Sequence, residues 1–202
     1  MSERDLGTYR PLTYYQMMEV SLRELLVEKG VITEAEVEMA IGEIKARGPH
    51  RGAQMVARAW LDSGYKARLL ANGSKAAEEL GFEVPGLKLI VVENTPEVHN
   101  VIVCTLCSCY PRMLLGLPPD WYKSRNYRSR VVREPRAVLG EFGTQIADTI
   151  RIRVHDSTAD MRYMVLPMQP ERTQDFTQDQ LAALVTRDSL SGVSSANNPR
   201  EP

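Results

Sequence analysis

A chain of 202 residues with 25 basic and 26 acidic side chains carries a formal charge of -1 at pH 7, which gives it no electrostatic reason to bind nucleic acid or an anionic membrane surface. Hydrophobic residues at 43% and charged residues at 25% are those of a globular domain with a real core, and no apolar run approaches the roughly 18 residues of a membrane span. The N-terminus MSERDLGTYRPL lacks the apolar stretch of a secretory signal, so the expected location is cytoplasmic.

The first half reads as helical. Between Thr13 and Lys29, Met18, Leu22, Leu25 and Leu26 recur at helical spacing, and Gly30 supplies a stop. Thr33 with Glu36 has the capping-box pattern for a second helix whose stripe is Val37, Ile41 and Ile44, ended by Gly48-Pro49. Amphipathicity does not say whose surface these helices bury, and residues 1–48 are read as an arm able to lie on another subunit. A third helix is expected over 54–61 and a shorter fourth over Ser74–Leu80, closed by Gly81.

Beyond Gly81 the period changes. Leu87–Val92 and Val98–Val103 are short β-branched runs separated by turn-prone Asn94-Thr95-Pro96, and both read as strands. A helix is expected over Arg136–Phe142, stopped by Gly143. Two alternating segments, Ile150–Val154 and Met161–Leu166, read as strands joined in hairpin fashion through Asp156-Ser157-Thr158-Ala159. Thr177 with Gln180 opens a last helix running to about Arg187, and 194–202 has the composition of a disordered tail. The expected class is α+β: the helical arm, then a layered α/β domain over 49–193. No internal repeat is present.

All three cysteines, Cys104, Cys107 and Cys109, fall within six residues, at the point where the second strand run stops. An odd count in a chain without a signal argues against a disulfide framework. The C-x2-C-x-C spacing lets one tight loop aim three sulfurs at a common point, and thiolates suit zinc, copper(I), iron clusters, or low-spin iron and cobalt. A structural zinc site takes four side-chain ligands, for which only His99 offers a candidate fourth, and an iron-sulfur cluster meets the same shortage. Three unligated buried thiols, or a loop whose own backbone supplies further donors, are the other readings that the spacing allows.

The string VCTLCSCYP, followed by GLPPDWYKS, YRSRVVREPR, VHDSTADMRYMVLP and LVTRDSLSGV, resembles the metal-binding alpha subunit of nitrile hydratases from about Val27 to Val193. Thr105 and Tyr110 match the cobalt-type version of the motif. The resemblance implies a non-corrin cobalt(III) centre, with iron(III) as the alternative, held by the sulfurs of Cys104, Cys107 and Cys109 and the backbone amides of Ser108 and Cys109. It implies sulfinate at Cys107 and sulfenate at Cys109, gripped by arginines of a β-type partner subunit. The implied reaction adds water to a C≡N bond of a small-molecule nitrile, with Cys109, Cys107 and Ser108 as the catalytic group and Tyr110 and Arg112 at the substrate.

Two features depart from the common pattern. Arg112 stands where such enzymes carry a tryptophan after the cluster, and Glu83-Val-Pro-Gly-Leu-Lys88 has no glutamine where the family usually places one. Both are similar to the three-polypeptide branch that includes thiocyanate hydrolase and a toyocamycin nitrile hydratase, in which two small polypeptides take the place of one partner. A guanidinium at residue 112 suits an anion such as thiocyanate, or stacks on a bulky heteroaromatic nitrile. The readings carried forward are therefore a nitrile hydratase alpha subunit, the metal-binding subunit of a thiocyanate hydrolase, and a non-catalytic metal-binding interaction domain. Arg125, Arg128, Arg130, Arg133 and Arg136 are read as an interface-facing set and Arg162 as support for a partner's arginines. His50, His99 and His155 read as packing or surface residues, and Trp60 and Trp121 as core or interface aromatics.

Overall fold

The computed structural model describes residues 12–86, 88–107 and 109–199, for 44–46 the backbone only. The chain divides into two compact units, Met1–Glu43 and Ile44–Pro202. In the first, helix α1 (Tyr14–Glu28) opens on a capping box in which Thr13 and Gln16 exchange side-chain and backbone bonds, a signal the sequence reading passed over. Helix α2 (Glu34–Ala46) opens on the expected one: Glu36 accepts from the Thr33 N–H at 2.8 Å, and Thr33 Oγ1 accepts from the Glu36 N–H at 3.2 Å. No residue of α1 is buried, and Tyr14, Tyr15, Met17, Met18, Leu22 and Leu25 all stand exposed.

The second unit begins with α3 (His50–Leu61), α4 (Ser63–Ala71) and α5 (Gly73–Glu78), followed by β1 (Lys88–Glu93) and β2 (Val98–Val103). Four short helices come next: α6 (Arg112–Leu115), α7 (Asp120–Lys123), α8 (Arg125–Arg130) and α9 (Pro135–Glu141). Then come β3 (Arg151–Asp156), β4 (Met161–Leu166), α10 (Gln178–Ala183) and α11 (Arg187–Ser191). Helix α3 starts four residues earlier than its apolar stripe indicated, and α4 was not expected. It exists because the side chains of Asp62 and Asn72, turn-formers by composition, each cap a helix by accepting from the N–H of Tyr65 and Lys75. The expected single helix after Thr177 is two, because Thr186 and Ser189 form a second capping box.

The strands do not pair as the hairpin reading held. β1 pairs with β4 and β2 with β3, both in parallel, as two two-stranded sheets. Alternation in β3 and β4 fixes which side chains face inward but not which strand lies alongside, and a parallel partner needs a long crossover rather than a turn. Here the crossover from β2 to β3 contains the cysteine loop and α6 to α9. Helices α4 and α5 cover β1, while α3 packs on α10. Val101, Ile102, Val103, Met164, Val165, Leu166, Leu114 and Leu139 form the fully buried centre, each worth roughly 1.5–3 kcal/mol of burial. Residues 194–199 do not behave as the disordered tail their composition suggested: Ala196 is buried and the Asn197 N–H donates to the Leu184 carbonyl.

A buried polar network ties β2 to the C-terminal segment. His99 Nε2 donates to the Gly192 carbonyl at 2.8 Å and its Nδ1 faces Asn94 Nδ2 at 3.4 Å, so the neutral tautomer satisfies both ends. Burial lowers the pKa of His99 accordingly. His155 Nε2 donates to Asn100 Oδ1 at 2.8 Å, and Asn94 Oδ1 accepts from the Asn100 N–H at 2.7 Å. Gly192 closes α11 at φ +79°, and a Cβ there would run into the Asn100 carbonyl oxygen. Left-handed strain of about 1–2 kcal/mol and a forced shift of about 1–3 kcal/mol add up in Gly192→Ala. We expect a loss of at least about 2 kcal/mol and a Tm fall of at least about 4 °C in a thermal scan. Gly81→Ala, at φ +75° with nothing within 4 Å of the new Cβ, loses only the strain.

Candidate metal centre

Cys104 is the first residue past β2. The buried strand carries it into the core, where it is 1% exposed, while Cys107 is exposed and Cys109 half-buried. The three Sγ atoms lie within 4.8 Å of one another, Cys104 to Cys107 at 3.3 Å and Cys107 to Cys109 at 3.0 Å. Metal–sulfur bonds of about 2.3 Å put sulfurs about 3.3 Å apart at right angles and about 3.8 Å apart in a tetrahedron. The two short separations thus fit one ion with sulfurs near 90°, and the soft donors suit a transition metal.

Several groups fix the loop. The Cys107 N–H donates to Cys104 Sγ at 3.2 Å, Tyr122 Oη donates to the Cys109 carbonyl at 2.8 Å, and Arg128 Nη1 donates to the Thr105 carbonyl at 3.1 Å. Below it, Tyr127 Oη donates to the Ile102 carbonyl at 2.7 Å. Burial pushes both tyrosines far above the ordinary phenol range, which keeps them as donors. Their rings pack edge-on with Tyr110, Trp121 and Phe142, so an aromatic cluster forms the floor of the loop. In sequence, nothing marked Tyr122 or Tyr127 as supports of the cysteines, because the contacts span 13 and 25 residues.

Above the sulfurs lies a cavity of about 420 Å³ lined by Cys107, Cys109, Tyr110, Arg112, Met113 and Arg162, with Pro85 at its edge. Arg112 is exposed at the start of α6. Tyr110 is 2% exposed, and its hydroxyl is engaged with Ser191 Oγ at 2.9 Å. Arg162 Nη1 is held by the Thr158 carbonyl, while its Nε is buried without a hydrogen-bond partner among the described residues. Ser108 lies outside the described residues. His99, weighed from the sequence as a fourth ligand, has its ring nitrogens against Gly192 and Asn94 and stands apart from the sulfur group. The basic run is not one surface: Arg130 pairs with Glu134 and Glu141, both at 2.6 Å, and Arg136 donates to the carbonyls of Ala147 and Ile150. Arg125 and Arg128 do remain beside the cysteine loop, next to Leu106, which is 90% exposed.

Without a cation the Cys109 thiol is pushed up to about 12, by burial first and then by hydrogen bonding with Cys107 and Cys104, with the Arg162 guanidinium opposing. A bound cation reverses this, since it takes thiolate and releases the proton. In the reduced, metal-free chain at pH 8, iodoacetamide should therefore modify exposed Cys107 first, Cys109 at least about tenfold more slowly, and Cys104 last. Peptide mass spectrometry over a time course reads that order, and equal rates at the three sites would contradict the geometry.

Comparison with known proteins follows the same residues. The family profile for nitrile hydratase, alpha chain, matches 13–194. The low-molecular weight cobalt-containing nitrile hydratase subunit alpha of Rhodococcus rhodochrous is 50% identical over 181 residues, covering 89% of this chain and 87% of its own length. The thiocyanate hydrolase subunit gamma of Thiobacillus thioparus is 42% identical over 191 residues, covering 89% of this chain and 79% of its own. Among solved structures, a double mutant of the Fe-type nitrile hydratase from Comamonas testosteroni Ni1 superposes with a TM-score of 0.88 at 43% identity, over 96% of this chain and 95% of that one. Among the described residues, no helix is long and apolar enough to cross a membrane. From the cysteine motif to the last capped helix, the chain belongs to the nitrile hydratase alpha-chain family.

Proposed function

We propose that this chain is the metal-bearing alpha subunit of a cobalt-type nitrile hydratase, which adds water across a C≡N bond to give an amide. The observation that carries the reading is three sulfurs converging on one ion-sized point at the mouth of a cavity lined by two arginines. Cys104, Cys107 and Cys109 would hold the ion, with backbone nitrogens of 108 and 109 as further donors. When bound, non-corrin cobalt(III) supplies Lewis acidity toward the nitrile. Thr105 and Tyr110, and the Rhodococcus relative, favour cobalt over the iron of the Comamonas structure. Tetrahedral zinc is disfavoured by the short sulfur separations and, among the described residues, by the lack of a fourth His, Cys, Asp or Glu donor in the sulfur group.

In this reading the Cys107 and Cys109 sulfurs carry oxygens, which turn soft donors into hydrogen-bond acceptors at the cavity wall. The Cys109 oxygen would take the proton of the water that adds to the nitrile carbon as one C≡N π bond opens; alternatively it would add to that carbon itself, with water then restoring the oxygen on sulfur as the amide leaves. Arg162, with a buried Nε in need of an acceptor, orients groups on that wall. Ser108 shapes the turn, Tyr110 closes the base of the cavity, and Arg112 holds the outer part of a bulky or heteroaromatic nitrile. Residues 1–48 act as an arm on a β-type partner, whether one chain or two small polypeptides. The uncovered apolar residues of α1 support that role.

A second reading, the metal-binding subunit of a thiocyanate hydrolase giving carbonyl sulfide and ammonia, is favoured by Arg112 and Arg162 at one cavity and by the Thiobacillus relative. The assembled complex should contain about one cobalt per alpha chain, with two added oxygens on Cys107 and one on Cys109 by peptide mass spectrometry. Stoichiometric zinc with unoxidised thiols would sink both enzyme readings and leave a non-catalytic metal-binding domain. Assay on thiocyanate and on a heteroaromatic nitrile separates the two enzymes. Arg112→Ala should raise KM for the preferred substrate about tenfold while kcat stays within about threefold, the signature of an outer contact made equally before and during reaction.

A further inference from the structure

The β2–β3 ladder ends by setting Val103 opposite Asp156, one residue before the first cysteine. From there the Asp156 carboxylate reaches across to the cysteine loop. Oδ1 accepts from the Thr105 N–H at 2.9 Å and Oδ2 accepts from the Thr105 hydroxyl at 2.5 Å. The other side of the same residue is also held, since the Thr105 carbonyl accepts from Arg128 Nη1 at 3.1 Å. One step back, the Val103 carbonyl accepts from the Ser157 N–H at 2.7 Å. Every polar group of Thr105 is thereby fixed by a residue 23 or 51 positions away. Among the described residues no cation pairs with Asp156.

We infer that Asp156 is a positioning residue for the metal centre: its bidentate grip on Thr105 sets the turn that brings the Cys107 sulfur onto that of Cys104. The turn begins at Cys104, which the core immobilises, and Cys107 follows three residues later. With Thr105 pinned, the chain reverses so that the Cys107 N–H meets Cys104 Sγ at 3.2 Å, with the two sulfurs 3.3 Å apart. Without Asp156, the Thr105 N–H and hydroxyl lose that carboxylate while Leu106 beside them stays exposed, which leaves the turn freer to move. Two acceptor oxygens on one planar group, bonded to the N–H and the hydroxyl of the same residue, fix its orientation as well as its position at the surface. Asp156 itself is exposed and outside the apolar core, so its grip acts on the loop and not on the fold.

The inference rests on the loop being a metal site, and its test uses the full chain, reduced and anaerobic, titrated with cobalt(II) alone. The readouts are the thiolate-to-cobalt(II) absorption, circular dichroism and Tm. Asp156→Ala should weaken cobalt(II) binding about tenfold and alter the absorption band, with secondary structure unchanged and Tm within about 4 °C of the parent. Asp156→Asn keeps an acceptor for the Thr105 N–H and offers its NH2 to the hydroxyl as acceptor, so it should bind within about threefold of the parent. Thr105→Val, which loses only the hydroxyl arm, should fall between them. Cobalt(II) affinity and spectrum in Asp156→Ala equal to the parent's would overturn the inference. So would Asp156→Asn as impaired as the alanine variant, since charge and not shape would then matter. If the alanine chain does not fold, parent-like binding by Thr105→Val overturns it instead. A parent chain that takes up no cobalt(II) sinks the metal-site reading beneath it, and that outcome is distinct from equal uptake by parent and variant.

Discussion

Three sulfurs held within 4.8 Å of one another are an unfavourable assembly unless something binds them together. The raised Cys109 pKa registers this, because burial and neighbouring thiols both oppose a thiolate there. A soft cation removes the conflict by replacing protons with one multivalent charge. The rest of the second unit can be understood as the scaffold that keeps the sulfurs together while one side stays open. Cys104 is rooted in the core and Cys107 and Cys109 face outward, so the cluster is fixed below and accessible above.

The scaffold follows from parallel pairing. Because β3 lies alongside β2 in parallel, the chain leaving β2 must travel round to β3's start, and the cysteine loop is the first part of that journey. The next part, α6 to α8, returns beneath the loop with Tyr122 and Tyr127, whose hydroxyls take up the Cys109 and Ile102 carbonyls. When β3 arrives, its last residue meets Thr105. A single crossover thus supplies the three cysteines and the aromatic floor beneath them, and β3 at its far end supplies the carboxylate that accepts from Thr105. Peptide groups freed by ending a strand at a surface loop find partners without requiring water.

The cavity is assembled differently. Pro85 comes from before β1, Arg112 and Met113 from α6, and Arg162 from β4. These residues come from elements other than the sulfur loop, so the cavity lining and the cysteine cluster are set by separate parts of the chain, and the relatives' names record a nitrile in one case and thiocyanate in another. Two guanidiniums at one cavity, one with a buried nitrogen unpaired among the described residues, call for an acceptor-rich occupant or wall. The exposed apolar side of α1 calls for a covering surface.

Local chemistry was legible in the sequence wherever it was complete within a few residues. The Thr33–Glu36 and Thr177–Gln180 caps, the strand over Val98–Val103 and the cysteine spacing were read from neighbours alone, because capping, alternation and a three-sulfur turn close over six residues or fewer. Helix α4 and the split of α10 from α11 were missed where Asp62, Asn72 and Thr186, capable of either turn or cap, took the second role. Strand partners were misread because periodicity encodes a face and not a neighbour. The sequence by itself determined which sulfurs fall close enough together to offer a metal a common site, through thiol chemistry and spacing. Only the tertiary structure decided what holds those atoms in place, since Asp156, Tyr122, Tyr127 and Arg128 act across 13 to 51 residues, and contacts at that separation exist only once parallel strands are paired.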